Sequence, residues 1–207
     1  MRLFVKVCGI TNVDDLKTVA EAGADAFGLV IGFPKSPRNL DVDAARRLAK
    51  AFSGGPLPVA VLNCSELRFV EHVVSTVEPY GVQAYGLEDP AVLRSLGVKM
   101  LIKPVALEEG LSLQGYDVVL LDQSRGRGMS IDVAAAERFV MRSPLPVMVS
   151  GGLGPENVAD VVRRLRPFGV DASSKLEQAP GVKDGVKVKA FVHNAREAYA
   201  SGAGKKT

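Results

Sequence analysis

The chain has 207 residues, room for one large domain and cramped for two. Hydrophobic residues make up 47% with no Trp and only 6% aromatics, so a full core can form and it must be aliphatic. The net charge of +3 is spread along the chain, with no basic block before Lys205 and Lys206, and the two cysteines cannot build a disulfide framework, which argues against a nucleic-acid binder and a stapled secreted scaffold.

No metal-ligand spacing such as CxxC or HExxH occurs, and no stretch approaches ~20 apolar residues. Met1 to Thr11 lacks the long apolar run of a signal peptide. The expectation is a soluble cytoplasmic protein with no metal, no membrane contact and no nucleic-acid partner.

In chain order, Leu3-Phe-Val-Lys-Val-Cys8 reads as a strand that breaks at Gly9 and delivers a thiol to its C-terminal end. Leu3, Val5 and Val7 share one face, and Phe4, Lys6 and Cys8 share the other. Desolvating an ammonium is costly, so Lys6 needs an acidic partner. Its charge, two residues before Cys8, would favour the thiolate. The plainer reading takes Cys8 as a small core hydrophobe.

Thr11 or Asn12 can cap a helix whose face is Val13, Leu16, Val19 and Ala20. Ala24 to Ile31 is a second strand, followed by the loop Gly32 to Leu40 and a helix starting at Asp41. Pro58 to Leu62 is the third strand and ends at Asn63. Ser65 to Val77 reads as a helix, and Gly81 to Tyr85 as the fourth strand. Asp89 to Leu96 is a short helix, Val98 to Lys103 the fifth strand, and Val105 to Gln114 a weak, irregular element. Tyr116 to Asp122 is the sixth strand, ending in a carboxylate and a glycine-rich loop, Ser124 to Ser130. A helix from Asp132 to Met141 leads to the seventh strand, Pro146 to Ser150, which opens into Gly151-Gly-Leu-Gly154. Pro155 suits a first helical position, with the helix running to about Leu165. Gly169 to Ser174 is the last strand with its loop, and Asp184 to Ala200 the last helix.

Eight strands, each nearly all apolar, imply burial on both faces and so a parallel sheet covered by helices. The repeat is roughly 25 residues, close to the minimum for a strand, a helix and two loops. A single-domain (βα)8 barrel over residues 1–200, with an irregular or missing helix after strand five and a flexible tail at 201–207, is the natural closure. An open doubly wound sheet is the alternative, but no G-x-G-x-x-G follows the first strand.

In such a barrel the chemistry sits at the C-terminal strand ends. Those ends carry Cys8, Arg38, Asn63, Gln83, Asp122, Gly151, Gly152, Asp171, Ser173 and Ser174, while the strand bodies stay aliphatic. Gly151-Gly152 and Ser173-Ser174 suit a phosphate, because glycines admit backbone N–H groups and serines add hydroxyl donors. Asp122 ends an apolar strand, where desolvation favours the protonated carboxyl that a general acid needs. It could instead cap a helix or pair with Lys6, and Asp171 has the same ambiguity. Arg38, behind two prolines, could fork onto a carboxylate or simply be solvated. Cys64, His72 and His193 read as structural or solvated.

Several blocks together resemble phosphoribosylanthranilate isomerases of tryptophan biosynthesis: Lys6-Val-Cys-Gly-Ile-Thr11, Phe33-Pro-Lys-Ser-Pro-Arg38, Val82-Gln83, Leu121-Asp122, Ser150-Gly-Gly-Leu-Gly-Pro-Glu-Asn157, Gly169-Val-Asp-Ala-Ser-Ser174 and Pro180-Gly-Val-Lys-Asp184. The resemblance implies an intramolecular aldose–ketose isomerase that performs an Amadori rearrangement without a cofactor, acting on a phosphorylated small molecule as a monomer or homodimer. Carried over by position, Cys8 is the general base and Asp122 the general acid. Lys6, Arg38, Gln83 and Asp171 would serve substrate binding, and Gly151, Gly152, Ser173 and Ser174 the phosphate.

The chain departs from that family's usual pattern in two places. The loop lysine and tryptophan are replaced by Met129 and Val133, and Gln-Leu-His-Gly becomes Gln83-Ala-Tyr85-Gly86. Two rivals are another sugar-phosphate barrel enzyme and a degenerate, non-enzymatic barrel that senses a phosphorylated ligand. A synthase would need a catalytic lysine and glutamates at strand ends, and only Lys103 is available.

Overall fold

A computed structural model describes residues 2–52, 54–63, 66–86, 89–107, 112–122 and 132–202. The glycine-rich loop with Met129, and Cys64, lie outside these residues. Eight parallel strands form the barrel: β1 (Phe4–Cys8), β2 (Ala26–Ile31), β3 (Leu57–Asn63), β4 (Gly81–Tyr85), β5 (Met100–Val105), β6 (Val118–Asp122), β7 (Val147–Ser150) and β8 (Gly169–Ala172). Each pairs with its neighbour in sequence, and β1 pairs with both β2 and β8, which closes the ring.

The alternation inferred for the first strand decides what lies inside. Leu3, Val5 and Val7 pack outward in the large cluster shared with the helices. Phe4, Lys6 and Cys8 point into the barrel. The lower interior is apolar, with Ala26, Val59, Met100, Ile102, Val118, Leu120 and Met148 packed together. The upper interior holds Cys8, Val30 and Val61, with Phe33 and Tyr85 against them. Between the two lies a polar layer of Lys6, Gln83 and Asp171, all buried. A filled barrel of this kind is a packed core whose upper layer doubles as the floor of a site.

The helices are α1 (Val13–Glu21), α2 (Val42–Lys50), α3 (Leu67–Val77), α4 (Ala91–Ser95), α5 (Val133–Arg142), α6 (Val158–Leu165) and α7 (Gly185–Ser201). Short polar side chains start four of them, satisfying backbone N–H groups that have no partner within the helix. Asn12 accepts from the Asp15 N–H, Asp41 from Ala44, Asp132 from Ala135, and Asp184 from Val186 and Lys187. Between β5 and β6 no helix is present among the described residues, in line with the irregular element expected there.

Two details differ from the sequence reading. Pro155 does not open a helix: a turn spans 155–157, and the Asn157 side chain bonds the Gly154 N–H at 2.8 Å and the Gly152 carbonyl at 3.0 Å. The loop is thus held from within, and the helix waits until Val158. The second difference is a short hairpin, Glu177–Ala179 with Val182–Lys183, between β8 and α7. Its far end docks on the start of the chain, with Thr11 donating to the Gly181 carbonyl at 2.6 Å and the Lys183 N–H to Asp15 at 2.9 Å.

Candidate active site

The fold gathers the polar strand ends into one place. Cys8, Arg38, Asn63, Gln83, Asp122, Gly151, Gly152, Asp171, Ser173 and Ser174 line one cavity of about 990 Å³ at the C-terminal mouth of the barrel. Lys6 lies one layer below, fully buried.

Cys8 reaches the floor because β2 gives way. Gly28 pairs with Cys8, and a Cβ at Gly28 would come within 2.6 Å of the Cys8 sulfur. Gly9 follows at φ +79°, a left-handed turn that glycine adopts without cost. The aliphatic part of Arg38 lies over it, since a Cβ there would meet the Arg38 Cδ at 2.4 Å.

The acidic partner required by Lys6 is Asp171. Its carboxylate accepts from the Lys6 ammonium at 3.0 Å, and the Gln83 Oε1 accepts at 3.1 Å. Burial alone would push the Lys6 ammonium down, but the Asp171 charge and hydrogen bond oppose this and hold it above the ordinary lysine value. Lys6 therefore stays charged in the barrel centre. The Lys6 charge favours the Cys8 thiolate, the direction its place on the strand implies, but burial outweighs it. Burial raises the Cys8 thiol above its ordinary value, and the neighbouring Lys6 charge offsets only part of that. In the free protein Cys8 is a thiol.

The phosphate-like corner is formed by backbone that turns sharply. Gly151 and Gly152 sit at φ +98° and +64°. Ser173 Oγ is buried without a hydrogen-bond partner among the described residues, facing the space above Gly9. A buried hydroxyl left unpaired is uncommon and marks a place where a ligand oxygen would be welcome. Ser174 opens a single 3₁₀ turn that ends at Leu176.

Glu177 and Lys183 lie beyond the barrel's strand ends, and Tyr85, the last residue of β4, is a third site residue not named among the strand-end candidates. Glu177 takes a two-bonded fork from Arg38, Nε and Nη2 both at 2.7 Å, and a third bond from the Lys183 ammonium at 2.8 Å. Lys183 also donates to the Ser173 carbonyl at 3.3 Å. Arg38 is thus held in place rather than loose on the surface; among the described residues its Nη1 makes no bond and remains for a second carboxylate. Lys183 belongs to the block Pro180 to Asp184, but nothing in spacing pairs residue 38 with residue 177. Tyr85 lines the cavity, its ring edge-on to Phe33 at 5.7 Å between centroids.

Lys103, the lysine a synthase would need, is not among the cavity residues; its ammonium lies over the Tyr116 ring, 5.0 Å from the centroid. His72 is exposed on α3 and interacts locally with Thr76, and His193 is exposed on α7. Among the described residues no group of three His, Cys, Asp or Glu side chains converges on a metal position, and no helix is long and apolar enough to cross a membrane.

Residues 5–194 match the family described as N-(5'phosphoribosyl)anthranilate (PRA) isomerase. A relative of that name from Rubrobacter xylanophilus is 41% identical over 205 residues, covering 93% of this chain and 98% of the relative. The phosphoribosylanthranilate isomerase structure from Thermotoga maritima superposes with a TM-score of 0.81 at 32% identity, covering 94% of this chain and 99% of that one. A further phosphoribosylanthranilate isomerase structure, in complex with reduced 1-(o-carboxyphenylamino)-1-deoxyribulose 5-phosphate, gives 0.79 at 32% identity with the same coverage.

Proposed function

The chain belongs to the N-(5'-phosphoribosyl)anthranilate isomerase family, and we propose that Cys8 and Asp122 act as the base and the acid of its reaction. That reaction is the Amadori rearrangement of N-(5-phosphoribosyl)anthranilate to 1-(2-carboxyphenylamino)-1-deoxyribulose 5-phosphate, a step of tryptophan biosynthesis. A cytoplasmic setting, and action as a monomer or homodimer, belong to the same proposal.

Asp122 gives a proton to the ring oxygen of the pentose. The C1–O bond breaks, and the nitrogen lone pair forms an iminium at C1. That cation acidifies the C2 proton, which the Cys8 thiolate removes, leaving an enolamine. Tautomerisation gives the ketone at C2 and a saturated C1. Each well-placed acid or base is worth about 10²–10⁴ in rate.

The raised thiol of the free protein fits this order of events. The iminium brings a positive charge beside Cys8 only after the ring opens, and an adjacent cation favours thiolate over thiol. Lys6 supplies a standing charge from below. Arg38, braced by Glu177, offers its free edge to the aryl carboxylate. Gly151, Gly152, Ser173 and Ser174 hold the phosphate, and Asp171 keeps Lys6 in place.

The observation that carries the reading is the convergence of a thiol, a carboxyl, a half-occupied guanidinium and an unpaired buried hydroxyl on one barrel mouth. Phosphoribosylanthranilate made in situ is fluorescent, and its loss reports turnover. Cys8→Ala and Asp122→Asn should each lower kcat/KM by about 10²–10⁴ while the protein stays folded. A folded wild type without turnover ends the proposal.

A further inference from the structure

A chain of hydrogen bonds crosses the barrel and ends in a proton donor that the reaction described above does not use. It starts at Asp171, runs through the Lys6 ammonium to the Gln83 Oε1 at 3.1 Å, and continues from Gln83 Nε2 to the Tyr85 hydroxyl at 3.1 Å. Chemistry fixes its direction. An ammonium has three donors and no acceptor, so Gln83 must turn its oxygen toward Lys6. Its NH2 group then faces Tyr85, and the phenol oxygen accepts.

A phenol that accepts one bond still has a single hydrogen to give. Among the described residues that hydrogen meets no acceptor, because the Gln83 contact is the one hydrogen bond the Tyr85 hydroxyl makes. The ring is held edge-on to Phe33 and lines the same cavity as Cys8 and Asp122. Burial and then the negative field of Asp122 raise the phenol above its ordinary value, so it stays a neutral donor throughout the working pH range.

We propose that the Tyr85 hydroxyl contacts the substrate directly, donating its hydrogen to an oxygen of the pentose. The inference rests on the isomerase reading and adds a residue to it. The ligand chemistry is that of a sugar hydroxyl or ring oxygen, since the aryl carboxylate has Arg38 and the phosphate has the glycine and serine loops. Lys6 thereby acts at a second point. Its charge polarises the amide of Gln83, which strengthens the bond to Tyr85 and makes the phenol hydrogen a better donor.

Tyr85→Phe removes one oxygen and keeps the ring against Phe33. Reduced 1-(o-carboxyphenylamino)-1-deoxyribulose 5-phosphate is the binding probe, and inorganic phosphate, which fills only the phosphate corner, is the control. The variant should melt like the wild type, bind the reduced sugar about 3- to 10-fold more weakly, and lose kcat/KM by a similar factor, the size of one neutral hydrogen bond. Inhibition by inorganic phosphate should not change. Tyr85→His, which exchanges one ring donor for another, should retain more affinity than Tyr85→Phe.

Equal binding of the reduced sugar by Tyr85→Phe and wild type overturns the proposal while leaving the isomerase reading intact. So does a parallel loss of phosphate inhibition, which would make the hydroxyl a brace for the whole pocket. A wild type that neither turns over nor binds the reduced sugar overturns both.

Discussion

Arg38 and Glu177 meet through two parallel bonds of 2.7 Å, so one edge of the guanidinium is already spent on the protein's own carboxylate. The Glu177 side chain is only 5% exposed, and it also holds the ammonium of the fully buried Lys183. Removing that carboxylate would strand two cations. Glu177→Gln should cost about 3 kcal/mol in urea unfolding, and should raise KM roughly 10-fold with a smaller effect on kcat, since a loosened Arg38 is lost from ground and transition state alike.

The same pair makes an acid-stability prediction. Burial would raise the Glu177 carboxyl, but the bonds and charges of Arg38 and Lys183 together outweigh it and hold the group below the ordinary glutamate value of 4.5. A carboxyl depressed in the folded state contributes stability above its unfolded pKa and loses it as pH falls through the folded one. Unfolding free energy followed by urea titration should therefore decline below about pH 4.5 in the wild type. Glu177→Gln should lack that part of the decline.

Cys8 predicts an alkaline rise in activity. Its thiol lies above the ordinary value of 9.0, and kcat/KM reports the free enzyme. In Asp122→Asn, where the thiolate is the one titrating catalyst of the pair, the residual log kcat/KM should climb with a slope of about one from roughly pH 7 to 9. A flat profile of that variant over that interval would remove the thiolate from the mechanism.

Lys6→Met tests the barrel centre. It leaves the buried Asp171 carboxylate without its cation, a change that typically costs about 3–5 kcal/mol. Because the Lys6 charge partly offsets the burial of Cys8, the thiol should also titrate higher, which pH-dependent alkylation of the Cys8 peptide can measure by mass spectrometry. A variant with unchanged Cys8 alkylation and turnover would separate Lys6 from the chemistry.

Gly28→Ala probes how tightly the thiol is seated. The added methyl would stand 2.6 Å from the Cys8 sulfur and 3.0 Å from its Cα, so the strand end itself must shift. Overpacking of this kind costs about 1–3 kcal/mol. A displacement near 1 Å at the base can lower kcat by ~10². Steady-state rates beside a thermal melt would show whether activity falls further than stability.

Much of this protein is local in origin. Apolar strands separated by capped helices are properties of short stretches, so the eightfold alternation, the helix starts at Asp41 and Asp184, and the strand-end positions of Cys8 and Asp122 are legible in the chain. The period of two along Leu3 to Cys8 sorts outward from inward residues with no knowledge of the partner strands. After strand five, where the described residues hold no helix, the chain also lacks clear periodicity. The start of α6 is not legible in this way, because Pro155 permits a helix there without requiring one, and the Asn157 side chain closes the loop instead.

What the chain could not reveal are relations between distant positions and the balance of opposing energies. Asp171 and Asp122 were equal candidates for Lys6; closure of β1 onto β8 brought Asp171 alongside. Glu177 joins Arg38 across 139 positions through a hairpin with no apolar signature. The state of Cys8 depends on burial set against one shared charge, a comparison that exists only once the barrel has closed around both groups. Sequence determined which chemical groups reach the mouth, since side-chain period is a local rule. Only the tertiary structure decided which of them touch, because contact and desolvation are made by segments that the chain keeps far apart.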